Sequence, residues 1–177
     1  MMTGKPRDGG INLGQTMRRT KMLFTGQVQK GLQTGAVMFV VGEKRRVKAP
    51  KVYIRDSGVL HALLNINNRR DLENHPKVGA SWEGYALEEV LKALQPEESY
   101  FWATHGGAEL DMLLFKGRRR IGVECKRTDA PVLTSSMRIV LADLRLDELC
   151  VVYPGRRTYN LAQHVRVTPL ADFVNAT

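Results

Sequence analysis

Three charged residues sit inside segments that otherwise look like apolar strands. The stretch "ELDMLLFKGRRRIGVECKR", residues 109–127, reads as a β-hairpin whose arms carry Asp111, Glu124 and Lys126 in their interiors. Residues two apart on a strand share a face. Glu124 and Lys126 therefore point one way, and Cys125 points the other way with Val123 and Ile121. A turn through "KGRRR" brings the Asp111 strand beside the Glu124 strand. If the register puts them on one face, two carboxylates and an ammonium converge. Carboxylates held close repel unless a proton or a cation lies between them. Hard oxygen ligands of this kind suit Mg2+ (or Mn2+), which keeps several of its waters. Such an ion can activate water and offset charge building on a phosphate. Lys126 would then hold the water or neutralise the phosphate. The plainer alternative is a salt bridge from Lys126 to Glu124 or Asp111, because an unpaired buried charge is costly.

The elements that must position these residues follow from the pattern around them. "ASWEGYALEEVLKALQ" predicts a helix with Trp82, Tyr85, Ala86, Val90 and Leu94 on one broad face, stopped by Pro96. "SYFWATHGG" predicts an aromatic strand ending at a Gly-Gly turn, followed by the strands "AELDMLLF" and "IGVECKR". "TSSMRIVLADLRL" predicts an amphipathic helix capped by Ser135 or Ser136, and "DELCVVYPG" a strand ended by Pro154-Gly155. "TYNLAQHVRVTPLADFV" predicts one more short strand and a helical turn. From residue 80 the order is α-β-β-β-α-β, which points to an α/β fold with a mixed central sheet flanked by helices. Upstream, "KVYIRDSGVLHALLNI" predicts a strand and then a helix capped by Asp56 or Ser57, and "NNRRDLENHPKVG" predicts a polar loop. "AVMFVV" predicts a buried strand, and residues 1–35 a weakly ordered segment with one short helix near 15–32.

At 177 residues the chain is long enough for one core. No apolar run reaches the roughly 18 residues of a membrane span, and the N-terminus lacks the apolar core of a secretory signal. Two cysteines, Cys125 and Cys150, without metal-ligand spacing, fit a reduced, cytoplasmic protein. The net charge of +9 is uneven: residues 1–50 hold ten basic and two acidic residues. Two parts are therefore expected, a basic extension over 1–43 and a folded domain over 44–177. The basic arm suggests DNA or another acidic partner, with a solvated tail as the simpler reading.

Asp-x(12)-Glu-x-Lys, in a strand–turn–strand setting, resembles the core of the PD-(D/E)xK nuclease superfamily. More specifically, "KRRVKAPKVYIRDSGVLHALL", "WEGYALEEVLKAL" and "YFWATHGGAELDMLLFKGRRRIGVECKR" resemble the domain of unknown function DUF 4143 found at the C-terminus of AAA-type ATPases. The resemblance spans roughly residues 44–172. It implies a restriction-endonuclease-like core, with Asp111, Glu124 and Lys126 as the core triad and Glu83 as an added acidic metal ligand. An ATPase and a second copy of the chain are the further partners it suggests. The chain holds no G-x-x-x-x-G-K-[ST] phosphate-binding loop, so ATP hydrolysis is not expected of it. A stand-alone or truncated relative is the expectation, acting on DNA phosphodiesters or serving as a catalytically silent binding domain.

Other residues have a chemical and a plain reading. Arg118, Arg119 and Arg120 at the expected hairpin tip, with Arg127, are suited to backbone phosphates, or they are a solvated turn. His105 beside the Gly-Gly turn is a base or ligand candidate, or a polar turn residue. Tyr100, Phe101 and Trp102 could stack on bases, but alternating aromatics in a strand usually fill a core. Cys125, turned away from Glu124 and Lys126, reads as a small buried residue and not a nucleophile.

Overall fold

The structure is a computed structural model and describes residues 20–24, 37–40, 52–96, 98–104 and 106–176. Its centre is a mixed sheet built on the expected order. A long helix α3 (Val78–Leu94) is followed by strands β4 (Glu98–Ala103), β5 (Glu109–Lys116) and β6 (Arg119–Cys125), helix α4 (Ser135–Leu144) and strand β7 (Glu148–Tyr153). Strands β8 (Tyr159–Ala162) and β9 (Val165–Pro169) and a short helix α5 (Leu170–Asn175) complete it. Upstream lie β1 (Thr20–Phe24), β2 (Val37–Val40), β3 (Val52–Ile54), α1 (Ser57–Leu63) and α2 (Arg69–Asn74). The strand order is β3-β2-β1-β4-β5-β6-β7-β9-β8. The β4-β5-β6 part is antiparallel, and β6, β7 and β9 run parallel.

Helices cover both faces of the sheet. On one side Ala86, Leu87, Val90 and Leu94 of α3 and Leu170 and Phe173 of α5 pack on Met112, Leu114, Ile121, Val123 and Cys125. On the other, Met137, Val140 and Leu144 of α4 pack on Leu110, Leu113, Leu149 and Val151. Fully burying each Val, Leu, Ile, Met or Phe among them contributes about 1.5–3 kcal/mol. The face of α3 differs from the expected one at Tyr85, which is 43% exposed. Leu87 and Leu91 fill the core beside it. The helix ends where Gln95 takes a left-handed conformation, one residue before Pro96.

Several local expectations change. The polar stretch read as a loop contains α2, because Asn68 caps it through the Asp71 amide and Arg69 pairs with Glu73 one turn on. Thr20–Phe24, within the helix expected near 15–32, is a strand paired with β2 and β4. Thr134, not Ser135 or Ser136, caps α4, and the Ser136 hydroxyl bonds the backbone of Glu109 instead. The last segment holds two strands, joined by a turn with His164 at φ 65°. The "GEKRRVKAP" turn, the junction at 43/44 and His105 lie outside the described residues. Among the described residues no helix is long and apolar enough to cross a membrane.

A candidate metal centre where two strands part

The hairpin forms as expected, and its pairing decides where the charged residues lie. The β5–β6 ladder runs from Lys116↔Arg119 to Met112↔Val123 and ends one residue short of Asp111 and Glu124. Beyond that point β5 stays with β4, while β6 stays with β7 through Cys125↔Val152. The Lys126 amide then donates to the Val152 carbonyl at 2.9 Å. The two strands therefore part at the two acidic residues.

A bulge contributes to the parting. Tyr100 pairs with Leu113 and Trp102 with Leu110, so Asp111 and Met112 together oppose Phe101. Bulges break the alternation of a strand and re-aim a side chain. Here Leu110 and Leu113 share one core cluster, while Met112 joins the other. Asp111 Oδ2 accepts a hydrogen bond from the Cys125 amide at 2.9 Å, so a carboxylate sits where the ladder has stopped supplying a backbone partner.

Asp111 and Glu124 are only 6% and 7% exposed. Lys126 Nζ donates to Glu124 Oε1 at 2.5 Å. Glu83, on the second turn of α3, accepts from the Tyr53 hydroxyl, which reaches it from β3. The Tyr53 ring lies against Gly84, where an added methyl would come within 3.1 Å of it. Glycine at 84 thus lets the phenol lie close under the helix.

The fields of these groups meet at the Cys125 thiol. Burial, then Asp111, Glu83 and Glu124, push its pKa well above the usual thiol value, and Lys126 opposes them. Burial also raises the Tyr53 phenol, helped by the Glu83 hydrogen bond and the charges of Glu83 and Asp111. For Lys126, burial favours the neutral amine, but the Glu124 hydrogen bond and the charges of Glu124, Asp111 and Glu83 outweigh it, and the ammonium is held above its ordinary range. Asp111, Glu124, Lys126 and Glu83 thus occupy one electrostatic neighbourhood.

Among the described residues, no three His, Cys, Asp or Glu side chains come together as a ready-made metal cage. Mg2+ does not need one: it is held by one or two carboxylates, its own waters and substrate phosphates. Asp111 and Glu124, buried where the strands part, offer carboxylate oxygens, the donor type that mode uses.

The arginines divide. Only Arg118 lies in the turn, after Gly117 at φ 58°, while Arg119 and Arg120 belong to β6. Arg119 pairs with Glu148 at 3.0 Å. The Arg120 amide donates to Asp147 and its guanidinium to the Leu144 carbonyl. All three are at the end of β6 away from Glu124. Arg127, at the Glu124 end, is exposed and lies within the field of Glu73 on α2. Trp102 is core, with Tyr100 half-buried against the same cluster, while Phe101 packs half-buried against the cluster on the other face of the sheet. Tyr53 is the residue near the site that the sequence reading did not single out. Its signal was a lone aromatic in the strand before a capped helix. Arg55, two residues on, forks onto the buried Glu88 and ties β3 to α3 a turn below Glu83.

The sequence pattern of a domain of unknown function, DUF4143, matches residues 78–173. That stretch holds Glu83 and the whole hairpin. An uncharacterized protein of Mycobacterium tuberculosis and one of Mycobacterium bovis are each 46% identical over 134 residues, which is 76% of this chain and 30% of each relative. The chain therefore spans about 30% of the length of these curated relatives. No solved structure matches.

Proposed function

This chain belongs to the DUF4143 family, and from that premise we propose that it is a metal-dependent phosphodiesterase domain of the restriction-endonuclease-like superfamily, acting on DNA. The observation that carries the reading is the parting of β5 and β6 at Asp111 and Glu124, two buried carboxylates beside Lys126. Asp111 and Glu124 would hold Mg2+ or Mn2+. Glu83, fixed by Tyr53, would reach the ion through water. When bound, the ion lowers the pKa of water and offsets charge on the phosphate. The Cys125 amide orients Asp111. Lys126 holds Glu124 in place, and its ammonium is available to a phosphate oxygen or to the attacking water. Arg127 adds positive charge at the same end.

A binding role without turnover has its own support. Asp111, Glu124 and Glu83 each already accept from a protein donor, and the relatives carry more than twice as much chain outside the matched part. In that case the domain would serve a larger protein, such as an ATPase, or a second copy of itself. Incubation of linear and supercoiled DNA with Mg2+ or Mn2+ separates the two. The enzymatic reading expects cleavage that Asp111→Asn and Lys126→Ala each abolish while circular dichroism stays unchanged. Cleavage that survives both substitutions refutes the assigned site, and DNA binding without cleavage supports the accessory role.

A further inference from the structure

We infer that the end of the sheet opposite the carboxylates is a second contact for the phosphate backbone of duplex DNA. Five chain segments deliver cations there. Lys116 ends β5, Arg118 is in the turn, Arg119 and Arg120 open β6, Arg145 follows α4, and Arg166 comes from β9. Of the acids with described side chains, Asp143, Asp147 and Glu148 lie on the segments that reach this end, three against six cations.

The arrangement is more specific than a solvated charge run. Lys116 and Arg119 stand directly opposite each other on paired strands, a like-charge juxtaposition that destabilises a sheet unless an anion relieves it, and Glu148 is the anion beside Arg119. Arg119 and Arg166 grip Glu148 from both sides, at 3.0 and 2.8 Å. Arg120 is tied to the Leu144 carbonyl. A guanidinium has five donors, so each of these arginines is held in place with N–H groups to spare. Fixed, forked donors match phosphate oxygens, and the predominance of arginine over lysine favours phosphate. Arg118, Arg119 and Lys116 are exposed.

The inference rests on DNA being the ligand of the proposed site, and adds a length requirement. From Arg119 to Lys126 is seven residues of extended chain, about 23 Å. Contact at both ends needs about seven base pairs at roughly 3.4 Å each.

Binding of a labelled duplex of about 20 base pairs, followed by anisotropy in a chelator, keeps the test separate from metal chemistry and cleavage. The Lys116→Glu/Arg118→Glu double variant should bind at least tenfold more weakly at low salt. Its slope of log affinity against log salt should be shallower by about 1.8, from roughly 0.9 per lost phosphate contact. Thermal melts should match the wild type. Unchanged affinity and slope overturn the inference. So does an equal loss in an Arg70→Glu/Lys77→Glu control, which reverses two exposed charges elsewhere.

Discussion

Replacing Lys126 by methionine removes the ammonium from Glu124 and leaves the aliphatic stem. The Glu124 side chain is 9% exposed and the Lys126 side chain 39%. Breaking a fully buried pair costs about 3–5 kcal/mol, whereas a solvent-exposed pair is worth about 0–1 kcal/mol. With one partner buried and the other two-fifths exposed, Lys126→Met should cost about 1–3 kcal/mol. For a domain of this size that lowers Tm by roughly 2–4 °C per kcal/mol. On the proposed reading, a metal ion held by Asp111 and Glu124 would supply the missing positive charge. Saturating Mg2+ should therefore restore much of the loss, since a ligand at one hundred times its Kd stabilises by about 2.7 kcal/mol. It should raise the variant's Tm by more than the wild type's, because the ammonium no longer competes for Oε1. Urea and thermal melts with Mg2+ and with chelator read both effects. A variant as stable as the wild type would refute the pairing argument, and a variant that Mg2+ does not rescue would refute the shared-carboxylate argument.

Three further outcomes are expected. Tyr53→Phe removes the hydroxyl that holds Glu83 and should cost about 1 kcal/mol in urea unfolding; no change would mean that the Glu83 bond adds nothing. Cys125 and Cys150 are buried, the first well above the usual thiol pKa and the second pushed up to about 12 by burial and Glu148. Both should resist a thiol reagent at pH 8 until the chain unfolds, and rapid native labelling would contradict this burial. Lys126 is held above its ordinary value of 10.5 and the Tyr53 phenol above 10.0. The stability they contribute is complete below those ordinary values and is lost as pH rises above them. Urea midpoints should stay level from these two groups up to about pH 10 and then fall, less steeply in Lys126→Met. An equal fall in both would remove Lys126 from the account.

Strong patterns in the sequence carried most of the architecture. The apolar periodicity of α3, the strands on either side of Gly117 and the Pro-Gly stop after β7 are strong enough to give the α-β-β-β-α-β order without tertiary information. The hairpin's burial pattern was equally legible, since charges in apolar strands demand partners. What escaped depends on contacts distant in sequence or on weak local signals. The bulge at Asp111 arises from how β5 meets β4, and no residue type announces it. Arg119 and Arg120 read as turn residues, but Glu148 of the neighbouring strand and Asp147 just before it draw them into β6. Helix α2 has no buried residue, and only its cap and an ion pair one turn apart mark it. Tyr53 became relevant only once Gly84 allowed β3 to lie beneath Glu83.

The central claim is that Asp111 and Glu124 hold a divalent ion where β5 and β6 part. Calorimetric titration of the full chain with Mg2+ and Mn2+, with and without DNA, tests it most directly alongside Asp111→Asn. The account predicts binding by the wild type that disappears in the variant. Failure of the wild type to bind either ion, even with DNA present, would contradict it and leave the three residues as a structural charge cluster.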